Sequence, residues 1–254
     1  MAVMDEFREV RENLKNASLK TKIEYFVDYY KWHVIIVVIV IAAISSYVYS
    51  LVTRKDIAFN ATFINTMTLT EDEGTAYMND FAEVAGIDTN EYEVRLDPSM
   101  AINFEEAYSE TTYANVQKVS VYIAAGEIDA LATSSDIFAY YAHLECLEDF
   151  RNVFTEEQME ILKPYLYYVD AKVIERKNEA AQNNEMAEIP YPDPRKPEEM
   201  EDPIPIGLFL DTATEEFNSN FLFTSKTGML GIACTTKRPE ATISFIEYIL
   251  GIDL

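Results

Sequence analysis

Residues 32–53 read WHVIIVVIVIAAISSYVYSLVT, and this stretch divides the chain into two unlike parts. It contains no Asp, Glu, Lys or Arg. At 1.5 Å per residue, a helix of about 20 residues crosses a hydrocarbon core of roughly 30 Å. A buried core helix seldom needs so long an uncharged run. The sequence therefore predicts a transmembrane helix over residues 33–53, through which the chain binds the lipid bilayer.

Aromatic residues stand at both ends of this segment, where amphipathic rings favour the two membrane–water interfaces. These interface residues are Tyr29, Tyr30, Trp32, Tyr47 and Tyr49. A cleaved signal peptide is the competing interpretation, but it has a brief charged region and an apolar stretch of only about 7–15 residues. Here 33 residues precede the apolar run. We therefore expect the segment to be retained as an anchor.

Charge is distributed unequally on the two sides of the segment. Residues 1–55 carry eight Lys or Arg against six Asp or Glu, whereas the rest of the chain carries 12 against 38. Lys and Arg accumulate on the cytoplasmic flank of membrane helices. We therefore expect residues 1–32 in the cytoplasm and residues 54–254 outside the cell. A strongly acidic domain repels nucleic acid, so a nucleic-acid partner is excluded.

Residues 1–32 are patterned as an amphipathic helix with a break at residues 16–18. Apolar side chains recur at helical spacing on both sides of the break, and Ser18 is placed to cap the second part. They are Phe7, Val10, Leu14, Leu19, Ile23, Phe26, Val27 and Tyr30. We expect a helix that lies along the inner leaflet or against a partner helix. The alternative is that this stripe only extends the anchor.

Strand-like and helix-like segments alternate beyond residue 55, which predicts an α/β domain over residues 54–254. Capping boxes begin two of the helices, Thr70 with Glu73 and Thr155 with Gln158. The predicted strands are residues 57–64, 91–96, 128–132, 165–175 and 204–210. The predicted helices are residues 70–85, 104–126, 136–144, 155–164 and 236–250.

Residues 178–203 differ in composition from the rest of the domain. Four of the nine prolines lie between residues 190 and 197, among many Glu and Asp. Such a segment buries little apolar surface, so the sequence predicts a flexible, acidic, Pro-rich loop inserted in the α/β domain. Its carboxylates lack the alternating oxygen ligands and the central Gly of a calcium loop. No metal site is predicted.

Groups suited to catalysis are few. The chain holds two histidines, His33 beside the membrane segment and His143. His143 and Cys146 are three positions apart on one helix face, so a Cys–His nucleophile pair and simple packing are the two interpretations. No Gly-rich phosphate loop is present. We predict no catalytic residue and no cofactor. Cys146 and Cys234 form either one disulfide or two buried thiols.

The stretch VSVYIAAGEIDALATSSDIFAYYAHLECLEDF, residues 119–150, resembles one lobe of the bacterial extracellular solute-binding proteins that serve ABC importers. The resemblance rests on Ala125-Gly126 at a helix end, Asp129 on a short strand and the turn Leu147-Glu148-Asp149. Residues 236–250 are similar to the late helix of that family. The overall layout, including YYKWH at residues 29–33, also resembles membrane-anchored proteins of Gram-positive bacteria. The resemblance implies a single periplasmic-binding-protein-like α/β lobe.

Ligands of open α/β sheets bind at loops that follow the strands. The candidate ligand-binding residues are Thr66, Thr68, Ser134, Ser135, Asp136, Tyr140 and Tyr141. We expect Tyr140-Tyr141 and Tyr167-Tyr168 to be the first candidates for exposed tyrosines that stack on a sugar ligand. Solute-binding proteins close two lobes on a hinge, and here residues 178–203 stand in place of a second lobe.

The leading hypothesis is therefore a non-enzymatic, membrane-tethered binding domain outside the cell, an accessory of an envelope complex or transporter with a protein partner in the envelope. One alternative is a solute-capturing receptor lobe for an ABC-type importer. A second alternative is a hydrolase that uses Cys146 and His143.

Overall fold

The structure, a computed structural model, describes residues 17–67, 71–105, 109–183, 189–223 and 227–254. The chain divides into two compact units, Met1–Arg54 and Lys55–Leu254. The predicted helix over Phe7–Leu14 and the predicted capping residue Thr70 lie outside the described residues.

In the described part of the first unit, residues 17–54, the chain forms one uninterrupted helix of 35 residues, α1 (Leu19–Thr53). It begins at Ser18, whose hydroxyl accepts a hydrogen bond from the Thr21 N–H at 3.3 Å, as predicted. Residues 30–53 are long and apolar enough to cross a membrane, with a mean hydropathy of 2.5 and none of that stretch buried. Trp32, Tyr47 and Tyr49 are exposed near its ends. The side chain of Tyr29 lies outside the described part of the chain.

The second unit is built on a six-stranded mixed sheet. Its strands are β1 (Asp56–Ile64), β3 (Tyr92–Met100), β4 (Ala130–Ser134), β5 (Leu166–Asp170), β6 (Pro203–Phe209) and β8 (Gly228–Ile232). The order is β3-β1-β4-β8-β6-β5. The strands β3, β1 and β4 are parallel, whereas β8, β6 and β5 each run antiparallel to a neighbour. Two short strands, β2 (Thr66–Met67) and β7 (Leu222–Phe223), form a second sheet.

Seven helices of this unit are described: α2 (Glu71–Val84), α3 (Glu110–Ala125), α4 (Ser135–His143), α5 (Glu156–Leu162), α6 (Ala171–Gln182), α7 (Glu215–Asn220) and α8 (Pro239–Leu250). The capping box at Thr155 and Gln158 is confirmed. The predicted start of α3 at Phe104 is wrong. The helix begins at Glu110, because the Ser109 hydroxyl accepts a hydrogen bond from the Thr112 N–H and caps it. The predicted strand 165–175 is too long, because the Asp170 carboxylate accepts from the Lys172 N–H and begins α6.

Helices cover both faces of the sheet. On one face, Phe59 and Phe63 of β1 pack with Phe81 of α2 and Phe245 of α8, with ring centroids 4.7–6.5 Å apart. The other face carries a second cluster in which Leu131 of β4 is buried beneath α3 and α4. Large apolar side chains on opposite faces of the same strands therefore account for an α/β sandwich. The coarse fold prediction is confirmed; the periplasmic-binding-protein-like fold stays a prediction.

The segment predicted as a flexible loop over residues 178–203 is partly helical, and part of it is hydrogen-bonded to β5. Residues 178–182 complete α6. Beyond the gap at residues 184–188, the Tyr168 N–H donates to the Pro194 carbonyl at 3.0 Å, and the Asp170 carboxylate accepts from the Glu201 and Asp202 N–H groups. Residues 189–203 therefore cover the outer edge of β5.

Candidate functional site

The structure brings the predicted ligand-binding loops together at the carboxyl ends of the parallel strands. Because β1 and β4 are parallel neighbours, Thr66 and Ser134 both lie at the carboxyl ends of strands. Asn65 ties the segment that follows β3 to these strand ends. Its side chain donates to the Ile102 carbonyl at 2.6 Å and accepts from the Ile102 N–H at 2.8 Å. Thr68 lies outside the described residues.

Polar groups at this strand-end site are only partly available to a ligand. The buried Ser134 hydroxyl donates to the Asp136 carboxylate at 2.7 Å. Ser135 and Asp136 are exposed at the start of α4. The Oγ1 atoms of Thr66 and Thr133 are buried, and no hydrogen-bond partner is described for either. Two hydroxyls near the strand ends thus retain hydrogen-bonding capacity.

The tyrosine predictions need correction. Tyr141 is 0% exposed inside the cluster beneath α4, and burial raises the pKa of its phenol. It therefore belongs to the core and cannot contact a ligand. Tyr167 is also buried, at 5% exposure. Tyr140 and Tyr168 are half-buried, and Tyr140 packs against Phe104 with ring centroids 5.0 Å apart.

His143 and Cys146 are not arranged as a nucleophile and its base. The His143 ring stacks on Tyr191 at 3.4 Å, with Lys177 3.9 Å from the centroid of the same tyrosine ring. Burial, and then Lys177, lower the pKa of His143 to about 4. Burial, and then Cys234, raise the pKa of the Cys146 thiol, which donates to the Leu144 carbonyl at 3.7 Å. A protonated thiol is a poor nucleophile, so this geometry does not support the hydrolase alternative.

Asp129, which the resemblance singles out, has a structural role. Its fully buried carboxylate accepts from the Asn60 N–H at 2.8 Å, the Thr236 hydroxyl at 2.6 Å and Arg238 Nε at 2.8 Å. The Arg238 guanidinium also donates to the carbonyls of Ile57 and Gly126, both at 3.3 Å. This Asp129 network joins β1, the end of α3 and the start of α8.

A cleft of about 740 Å³ follows the edge strand β3 and was not predicted from the sequence. Because it is lined from both faces of the sheet, it wraps around the outer edge of β3. Its walls are α2 through Thr75 and Met78, α3 through Lys118 and Tyr122, and β1 through Asn60. The predicted strand over residues 91–96 located most of β3, but the sequence did not reveal the helices that build the walls.

Three Lys or Arg and two Asp or Glu line this β3 cleft, although the chain as a whole carries −24. Arg95 pairs with Glu93 at 2.6 Å, and Lys118 pairs with Asp97 at 3.6 Å. Burial raises the pKa of Asp97, but hydrogen bonds from Ser99 and the charge of Lys118 lower it overall. The cleft therefore presents alternating charges of both signs rather than the acidic surface found elsewhere.

The outer edge of β3 faces the cleft. Within the described residues, β1 is the one strand that pairs with β3, whereas the opposite edge of the sheet at β5 is covered by residues 189–203. Two register shifts and Pro98 restrict where another strand can pair with β3. The accessible stretch is thus short, centred on residues 93–97.

Comparisons of the chain with protein-family models, with curated proteins and with solved structures found no match. Among the described residues, no group of three or more His, Cys, Asp or Glu is placed to hold a metal ion. The geometry of the two candidate sites, the strand-end site and the β3 cleft, therefore carries the functional argument.

Proposed function

We propose that this protein is a membrane-tethered binding domain that acts outside the cell as an accessory of an envelope protein complex. The observation that carries the proposal is the β3 cleft. An edge strand that faces a cleft binds an extended polypeptide by adding it to the sheet as a further strand. The walls from α2 and α3 give the side chains of such a segment room on both faces of the sheet.

The charges of the cleft favour a protein partner with alternating charges. Glu93, Arg95 and Asp97 alternate in sign along one face of β3, and directly opposed unlike charges stabilise paired strands by about 0.2–1 kcal/mol each. The acidic remainder of the domain attracts a partner of net positive charge and slows the approach of a second copy. We therefore propose a basic partner with an extended segment.

The helix α1 supports tethering and supplies a second contact. Its 24-residue apolar stretch accounts for about 36 Å, so residues 19–29 continue for about 16 Å beyond it as part of the same uninterrupted helix. Without a break between them, residues 19–29 do not lie flat on the inner leaflet while the apolar stretch crosses the membrane. The exposed Leu19, Ile23 and Val27 therefore favour contact with a partner helix.

Orientation follows from the charge asymmetry, with the basic flank in the cytoplasm and the acidic unit outside. A cleaved signal sequence passes the same test of length and apolarity as residues 30–53, and it would release the domain. The retained anchor is preferred because α1 begins well before the apolar stretch.

A receptor lobe for a small solute is the second candidate function. The observation in its favour is the pair of buried hydroxyls of Thr66 and Thr133, which are without a described partner at the strand-end site. A polar solute that reached this edge would satisfy them. The two candidates therefore place the ligand at different sites.

Photo-crosslinking tests whether the β3 cleft binds a protein partner. Benzoylphenylalanine replaces Tyr122, which lines the β3 cleft, in the full chain within intact cells. The matched control carries the same group at Tyr113, which is exposed on α3 but does not line the cleft. We expect one envelope protein to be crosslinked reproducibly at residue 122 and not at residue 113. Equal yields at both positions, or no adduct at residue 122, would contradict the proposal.

A further inference from the structure

The two cysteines of the chain lie on neighbouring antiparallel segments. Leu147 and Ala233 form an antiparallel bridge just beyond β8. The Glu148 N–H donates to the Ile232 carbonyl at 2.8 Å, and the Cys234 N–H donates to the Cys146 carbonyl at 3.0 Å. One step further along this register, Cys146 and Cys234 stand directly opposite each other.

This arrangement meets the geometric requirement of a disulfide. Residues directly opposite in an antiparallel pair project to the same side, and a hydrogen-bonded pair has Cα atoms about 5.5 Å apart. Disulfides join Cα atoms separated by about 4.4–6.8 Å. The backbone hydrogen bond between the two residues holds that separation. Directly opposite Cβ atoms lie about 4.5–5.5 Å apart and a disulfide needs about 3.5–4.5 Å, so bridging requires side-chain rotation and a small backbone adjustment.

The environments of the two thiols fit a stepwise reaction. Cys234 is exposed and Cys146 is half-buried. Burial is the main reason why the pKa of each thiol is raised, and the nearby Cys234 contributes for Cys146. An external oxidant therefore reaches the Cys234 sulfur first, while Cys146 is held beside it.

We propose that Cys146 and Cys234 form an intramolecular disulfide in the folded protein when it meets a disulfide oxidant such as oxidised glutathione. Cys234 Sγ loses its proton and attacks the glutathione disulfide, which releases one reduced glutathione. Cys146 Sγ then loses its proton, attacks the mixed disulfide at Cys234 and releases the second. Two S–H bonds are lost and one S–S bond forms; both electrons pass to glutathione, which is reduced.

The bond has consequences for stability and not for the β3 cleft. It closes the long loop that contains β5 and β6, and closing such a loop restricts the unfolded chain. Neither cysteine lines the cleft, so partner binding there is independent of the link. Because the attacking species is the thiolate, oxidation accelerates by about tenfold per pH unit while the pH remains below the thiol pKa.

The test uses the full chain in detergent micelles, equilibrated with oxidised and reduced glutathione and then alkylated under denaturing conditions. We expect both thiols to be lost together, a mass lower by about 2 Da from the two lost hydrogens, and a linked peptide pair containing residues 146 and 234. The midpoint of urea unfolding should be higher for the oxidised chain than for the reduced one.

The control variants are Cys146→Ser and Cys234→Ser. Each should retain at most one glutathione adduct, with no internal link and no oxidation-dependent shift of the urea midpoint. The proposal is overturned if the folded wild-type chain keeps both thiols open to alkylation while the urea-unfolded chain oxidises in the same buffer. Independent glutathione adducts on both cysteines, without resolution into a link, would overturn it as well.

Discussion

Replacing Asp129 with Ala should be among the most destabilising single changes outside the apolar core. The substitution leaves the Arg238 guanidinium, only 20% exposed, without its carboxylate. It also removes the acceptor of the Asn60 N–H and the Thr236 hydroxyl. Breaking a buried ion pair from one side costs about 3–5 kcal/mol, and partial exposure of Arg238 places the expected loss near the low end, about 3–4 kcal/mol.

Urea unfolding of the full chain in micelles, followed by near-ultraviolet circular dichroism, measures this loss. With a slope of about 2 kcal/mol per molar urea, the midpoint should fall by about 1.5–2 M. Adding Arg238→Met to Asp129→Ala should restore part of the lost stability, because it removes the unpaired positive charge. The control is Glu93→Ala, which breaks an ion pair that is about 40% exposed and should shift the midpoint by less than about 0.5 M. Equal shifts for Asp129→Ala and Glu93→Ala would refute the structural role of the network.

Three further predictions concern a pair of glycines, a histidine and a tyrosine, and the stability of each variant is measured by the same unfolding assay. Gly126→Ala should cost about 2–3 kcal/mol, because φ is +67° and the new Cβ would lie 2.9 Å from a backbone carbonyl oxygen. Gly86→Ala should cost only about 1 kcal/mol, because φ is +68° but no atom lies within 4 Å of the new Cβ. A larger loss of stability for Gly86→Ala than for Gly126→Ala would be inconsistent with the contacts at Gly126. The folded protein holds the pKa of His143 at about 4, below the unfolded value near 6.5, so protons bind preferentially to the unfolded chain as the pH falls. The stabilising contribution of neutral His143 is complete above about pH 6.5 and declines by on the order of 2 kcal/mol towards pH 4. His143→Gln should remove this pH dependence of stability. An NMR titration that gives His143 a pKa near 6.5 in the folded protein would contradict the prediction. Tyr141→Phe should leave stability unchanged or raise it by up to about 1 kcal/mol, because the lost hydroxyl has no described partner; a loss above about 1 kcal/mol would reveal a hydrogen bond there.

Local signals in the sequence predicted many elements correctly. The uncharged run predicted the apolar helix, and the reciprocal bonds of Thr155 and Gln158 form as their spacing indicates. The ends of helices and strands were predicted less accurately. The sequence predicts a strand that continues through Asp170 to residue 175, but the Asp170 carboxylate caps α6 and ends the strand. Such caps decide a boundary within one or two residues.

Tertiary features were beyond the reach of these signals. The strand β8 contains two glycines and lies between distant segments, and its place between β4 and β6 depends on pairings that no local pattern specifies. Tyr140 and Tyr141 are adjacent on α4, and the position of the sheet decides that Tyr141 is fully buried while Tyr140 is only half-buried. The β3 cleft likewise depends on walls from α2 and α3, which are distant in the sequence.

The central claim is that α1 anchors the chain and presents the acidic unit outside the cell. Labelling of single cysteines with a membrane-impermeant maleimide tests it most directly, in a full chain that lacks Cys146 and Cys234. Cysteines replace the exposed Glu157 of α5 and the exposed Lys20 of α1. We predict that Glu157→Cys is labelled in intact cells and that Lys20→Cys is labelled only after permeabilisation. Labelling of residue 20 in intact cells, labelling of residue 157 only after permeabilisation, or loss of residue 20 from the mature chain would contradict the account.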